Sequence, residues 1–116
     1  MNSLKSITLA DVEWELICEP EQFTTPEEHL CTDEPEDDAK DCELIRQRLD
    51  SGDQWAWCSV RLVGRFRALE CWDSLGSCNF ESEDDFRQSG YFADMQLEVL
   101  RQLQEEASNI AEFFRY

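Results

Sequence analysis

The chain has 116 residues, with twenty-seven acidic side chains against ten basic ones and a net charge of −17 at pH 7. That length suits one domain, and its apolar content of 41% is enough to bury a core without metal or disulfide staples. The charge speaks against nucleic acid or an anionic membrane as a direct partner and favours basic proteins, whose encounter it would speed.

Solubility alone asks for a net charge of magnitude about 2 to 8 in a small domain, so most of the excess needs another reason. It is also uneven. Residues 1–50 hold fifteen acids and four bases, whereas residues 51–116 hold twelve and six. Six cysteines stand at 18, 31, 42, 58, 71 and 78, with no Cys-x-x-Cys pair and a single histidine, His29. Zinc-type spacings are therefore missing, and no metal or cofactor is expected. The opening "MNSLKSITLADVEWE" lacks the apolar run of a signal peptide, and no stretch reaches the length of a membrane span. These features predict a cytoplasmic protein with reduced thiols, although an even cysteine count permits disulfides in an oxidising setting.

Along the chain, "ITLADVEWELIC" (7–18) alternates Val12, Trp14, Leu16 and Cys18 with Glu13, Glu15 and Ile17, which predicts a half-buried strand with an acidic outer face. Residues 19–33, with two prolines and four glutamates, read as an irregular, exposed acidic loop. A helix is predicted over 35–50. Asp33 or Glu34 caps it, Pro35 takes the first helical position, and acids crowd the first turns where the helix dipole favours them. Ala39, Cys42, Ile45 and Leu49 form its apolar stripe, and Gly52 its C-terminal stop.

The next segment, from Trp55 to Ala68, changes to period two. Ala56, Cys58, Val60, Leu62, Gly64 and Phe66 share one apolar face; Trp55, Trp57, Arg61, Val63, Arg65 and Arg67 share the other. A turn near Arg67 and Ala68 leads into a returning strand over about 69–80, with a bulge or break suggested by Ser74 and Gly76. Ser82 and Asp85 have capping-box spacing for one short helical turn, which Gly90 closes. The longest apolar stripe, Phe92, Met95, Val99, Leu103, Ala107, Ile110 and Phe114, predicts a helix over 92–114. The order strand, helix, strand, strand, helix predicts a single α+β domain over 1–116. Its antiparallel sheet of about three strands would have two main helices packed on it.

"WAWC" (55–58), "DSLGSCNFESEDDF" (73–86) and "GYFADM" (90–95) together resemble a family of small acidic proteins of bacteriophages and other bacterial mobile elements, across residues 53–103. The resemblance implies a phage-type genomic setting and carries no catalytic role onto any residue. Small acidic proteins of that setting include anti-restriction and anti-CRISPR inhibitors, several of which mimic DNA in charge.

The stretch "TDEPEDDAKDCE" (32–43) carries seven acids and one lysine. Duplex DNA carries a charge about every 1.7 Å of axis, and one row of carboxylates on a helix repeats at about 5.4 Å. Several rows joined to an acidic loop therefore approach a phosphate-like density. The expected partner-binding residues are Glu34, Glu36, Asp37, Asp38 and Asp41, supported by Glu27, Glu28 and Asp33, with Asp84 and Asp85 as a second cluster. The expected partner is a basic nucleic-acid-binding host protein or complex, occluded without catalysis; a homodimer is compatible. Two other classes remain open: an adaptor using the tryptophan and arginine strand face, and a small hydrolase of unrecognised type. For the latter, nothing selects a carboxylate pair, and His29 is the one histidine available to activate a thiol.

Overall fold

Three strands form one antiparallel sheet: β1 (Glu13–Pro20), β2 (Cys58–Phe66) and β3 (Leu69–Cys78), side by side in that order. The structure, a computed structural model, describes residues 6–30 and 34–113. Among the described residues, four helices accompany the sheet: α1 (Pro26–His29), α2 (Pro35–Asp50), α3 (Glu83–Arg87) and α4 (Gly90–Phe113). The protein is thus an α+β fold. Among the described residues, no helix is long and apolar enough to cross a membrane.

The register explains the period-two pattern. Trp14 pairs with Gly64, Leu16 with Leu62, Leu62 with Asp73, and Gly64 with Cys71, so these residues share the face under α4. Cys58, Val60 and Leu62 are wholly buried there, beneath Met95, Val99 and Leu103 of α4. Gly64 is small for a steric reason. A Cβ at this position would lie 2.7 Å from Val99 Cγ1, 3.0 Å from Val12 Cγ1 and 3.1 Å from the Trp14 ring. The missing side chain lets α4 approach the middle strand.

Between β2 and β3 the turn falls at Arg67 and Ala68, closed by the Phe66–Leu69 pair. Arg67 takes φ 55°, a left-handed conformation that a non-glycine residue adopts at a cost, and its guanidinium lies 5.2 Å from the centre of the Phe66 ring. The expected irregularity in β3 is a bulge at Gly76 and Ser77, which together oppose Ser59 alone. Ser77 carries φ 55°.

Several boundaries move. Trp55 and Trp57 are not on a strand face. The Asp53 carboxylate accepts the Trp55 N–H at 3.2 Å and caps a 3-10 turn, Gln54–Ala56, so pairing starts only at Cys58. Trp55 packs with Phe80 and Phe86 at ring distances of 6.5 and 5.6 Å, and Trp57 is buried. Gly90 opens α4 instead of closing α3, which Ser82 caps as predicted, its Oγ accepting the Asp85 N–H; Asp85 in turn accepts the Glu81 N–H, one residue before the cap, in place of the reciprocal bond to Ser82. Phe114, placed at the end of the long helix from its stripe, lies outside the described residues.

The two main helices differ in what they cover. α4 lies on the sheet. α2 packs chiefly against the 3-10 turn before β2 and against α1, through Ile45, Leu49, Ala56, Trp57 and Leu30. On α2, Cys42 and Ile45 are buried as expected, but Ala39 is exposed because α1 covers only part of that flank. Its bounds match the expected 35–50. Pro35 is the first helical residue, and at the other end Gly52 (φ 93°) and Asp53 donate to the Leu49 and Arg48 carbonyls at 3.0 and 2.9 Å. That is the Schellman closure for which glycine is suited.

The segment expected as an irregular loop is more ordered than its composition suggests. β1 runs through Glu19 and Pro20, and Thr25 caps the single turn α1 by accepting the Glu28 N–H at 3.3 Å. Between them, Glu21 accepts the Ser77 N–H at 2.6 Å and the Phe23 N–H at 2.9 Å. These N–H groups, Ser77 foremost, favour the charged form and hold the Glu21 carboxyl below the usual carboxylate range.

Candidate partner-binding surface

The acidic surface is built on α1 and α2. With Cys42 and Ile45 turned inward, the hundred-degree step of the helix distributes the acids on both flanks. Glu36 and Glu43 lie on one flank beside Ala39 and Arg46. Glu34, Asp37 and Asp41 lie on the other, beside Arg48. Glu34 occupies the N-cap position without a side-chain cap bond; Pro35, Glu36, Asp37 and Asp41 are exposed, and Asp38 is half-buried.

α1 brings in the two glutamates of the preceding segment. Glu27 and Glu28 are exposed, and Glu27 grips Arg46 of α2 through two bonds, at 2.6 and 3.2 Å. Arg46, foremost by this contact, holds the Glu27 carboxyl below the ordinary range. A shallow groove lined by Glu27, Leu30, Asp38, Ala39, Glu43 and Arg46 runs between the two helices. Asp33, expected to support this surface, lies outside the described residues.

The other flank meets a second acidic segment that sequence order does not suggest. An open cleft of about 430 Å³ separates α2 from the loop between β3 and α3, with Leu30, Leu44 and Ile45 on its apolar side and Asp41, Arg48, Asn79 and Glu81 at its polar edge. Arg48 spans it. Its guanidinium donates to Asp53 at 2.7 Å, to Asn79 Oδ1 at 3.2 Å and to the Phe80 carbonyl at 2.5 Å. This clamp aligns Asp41 with Glu81 and so with the start of α3. Asp84 is exposed there; Asp85 is exposed too, but its carboxylate is occupied by the Glu81 N–H. Sequence reasoning missed Arg48 and Glu81. Only the tertiary contacts of Arg48 with Asp53, Asn79 and Phe80 show its role.

The arginines outside α2 are engaged elsewhere. On the sheet face away from α4, Arg61 pairs with Glu19 at 2.9 Å, and Arg65 lies between Glu15 and Glu70 at 2.8 and 2.7 Å. Arg87 pairs with Glu83, and Arg101 with both Glu98 and Glu105. No ion pair of this kind involves Glu36, Asp37 or Asp41 among the described residues.

The aromatic residues do not form one patch. Trp55 and Trp57 lie inside, Tyr91 rests on Phe80 near α3, and Trp72 alone stands on the open sheet face, 56% exposed and opposite Val63. His29 stacks against Trp57 and contacts Ser77 Oγ at 3.4 Å. Comparison with protein-family models, with curated proteins and with solved structures finds no match to the chain.

Proposed function

We propose that this protein binds a basic, nucleic-acid-binding host complex through the acidic surface of α1, α2 and the α3 loop, and blocks its groove without catalysis. The observation that carries this reading is a local crowding of acids. On the open sheet face Glu15, Glu19 and Glu70 are drawn into ion pairs with Arg61 and Arg65, while Glu36, Asp37 and Asp41 stand exposed close together on α2 with no ion-pair partner among the described residues. Folding gains nothing from such crowding beyond dipole compensation in the first turn, worth about 0.3–1 kcal/mol per well-placed acid. A groove lined by lysine and arginine gains both encounter rate and register from it. The resemblance to small acidic phage proteins supports a bacterial cytoplasmic setting and a defence complex, restriction enzyme or CRISPR effector, as the target.

Pull-down from bacterial lysate tests this. Wild type should retain a basic nucleic-acid-binding complex that salt releases, and the Glu36→Gln, Asp37→Asn, Asp38→Asn, Asp41→Asn variant should not. Partners that are not basic, or that survive the four changes, defeat the proposal. The exposure of Trp72 beside Arg61 and Arg65 favours a second reading, an adaptor that binds through the open sheet face. Under that reading Trp72→Ala abolishes capture and salt matters little.

A further inference from the structure

Three cysteines meet at the end of the sheet away from the Arg67 turn. Cys58 opens β2, Cys78 closes β3, and the two are directly opposed across the strand pair. Cys18 lies diagonally across from Cys58 on the other side, since Cys18 pairs with Val60 and Cys58 with Pro20. All three belong to one core cluster. Cys58 and Cys78 are buried, whereas Cys18, on an edge strand, is partly exposed.

We propose that Cys58 and Cys78 form a cross-strand disulfide by exchange with a small disulfide of the glutathione class, taken up first at Cys18. Directly opposed residues of an antiparallel pair have Cα atoms about 4.5–5.5 Å apart, inside the window of about 4.4–6.8 Å that a disulfide requires. Diagonal neighbours stand at about 7–8 Å. Cys18 packs against the cluster that holds Cys58, yet a covalent bond between this diagonal pair requires backbone movement. It is therefore the strained intermediate, and the opposed pair is the resting product.

The exchange balances. Cys18 Sγ bonds to one sulfur of the small disulfide, whose S–S bond breaks, and the departing thiolate takes up the Cys18 proton. Cys58 then attacks Cys18 Sγ and releases the second small thiol with the Cys58 proton. Cys78 attacks Cys58 Sγ in turn; Cys18 leaves and recovers a proton from Cys78. Two protein thiols are oxidised, and one small disulfide is reduced to two thiols. Burial, foremost for Cys18, pushes its thiol up from the ordinary cysteine range; the thiol contact with Cys78, together with burial, pushes Cys58 up. Exchange consequently accelerates as pH rises. Among the described residues, no group of three or more His, Cys, Asp or Glu is arranged to hold a metal ion.

Treating the native full chain with oxidised glutathione, quenching by alkylation and mapping peptides without reduction tests the proposal. The expected product is the Cys58–Cys78 link, preceded by glutathione on Cys18, with a raised thermal midpoint. Cys58→Ala should halt with glutathione on Cys18 and no link; Cys78→Ala should halt at the Cys18–Cys58 link. Links through Cys31, Cys42 or Cys71 in its place, or Cys58 and Cys78 still alkylatable after Cys18 has reacted, overturn it. The wild-type map decides the matter even if a variant fails to fold, and does not depend on the partner-binding reading.

Discussion

On the open sheet face, Arg65 lies 2.8 Å from Glu15 and 2.7 Å from Glu70; on α2, Glu36, Asp37 and Asp41 have no ion pair among the described residues. The contrast extends to what lies beneath. The sheet and α4 enclose two clusters with wholly buried Leu62, Phe86, Val99 and Leu103, whereas α2 rests on a small one built on Ile45, Ala56 and Trp57. One region has deep packing, and the arginines of its open sheet face are held in ion pairs. The other has thin packing and acids crowded along one helix. Stability is concentrated in the first, and the candidate surface sits where the packing is thinnest.

The largest break in that comparison should come from Phe86→Ala. Phe86 is fully buried among Trp55, Phe80 and Phe92, and its loss should lower the unfolding free energy by about 3–5 kcal/mol in urea denaturation. Gly64→Ala follows, at about 1–3 kcal/mol, because its new methyl meets a buried, β-branched Val99 that has little room to yield. Arg48→Met, which removes the clamp between α2 and the β3–α3 loop, should cost about 1–3 kcal/mol and show faster hydrogen exchange on α2 than on α4. By contrast, the four α2 acid-to-amide changes lose dipole compensation at Glu36, Asp37 and Asp38 but relieve repulsion among the acids, so they should lower the unfolding midpoint less than Arg48→Met while abolishing partner capture. A stability loss as large as that of Arg48→Met would show that those acids serve the fold.

The smallest effect is one of pH. Glu98 is held down to about 2, chiefly by the Arg101 guanidinium and then by the Gln102 amide, and Glu21 is lowered by the Ser77 and Phe23 N–H groups. A lowered folded value means that each contributes stability above the ordinary glutamate range, near about 4.3. That contribution is lost as pH falls through the lowered value. Carboxyl chemical shifts followed by NMR should show both groups titrating below that range, and Glu21→Gln should remove the pH-dependent attachment of the segment after β1 to the β3 bulge.

How much of this the sequence foretells depends on whether the cause is local. α2 was legible from end to end, because Pro35 and Gly52 act on their own backbone neighbours. The stripe of α4 and the Ser82 cap of α3 were legible for the same reason. Trp55 and Trp57 were misassigned because period two continues past Cys58 in the sequence, while the Asp53 cap ends the extended backbone. α1 carried its own signal, Thr25 before Pro26 and two glutamates, but a single turn is too short for periodicity to register. The acids of the candidate surface were legible as composition. Their division between two flanks, the alignment of Asp41 with Glu81 and the meeting of three cysteines depend on strand register and on Arg48, which no local pattern encodes.

The alternation of β1 also bears on how these molecules tolerate crowding. β1 and β3 both leave an open edge, the usual template for strand-to-strand growth between copies. Glu13, Glu15 and Glu19 along β1, and Pro20 at its end, oppose such growth by repulsion and by a missing donor. The repulsive part of that protection is electrostatic. At high salt, which screens that repulsion, concentrated protein should assemble into fibrils that a dye-binding assay detects sooner than at low salt.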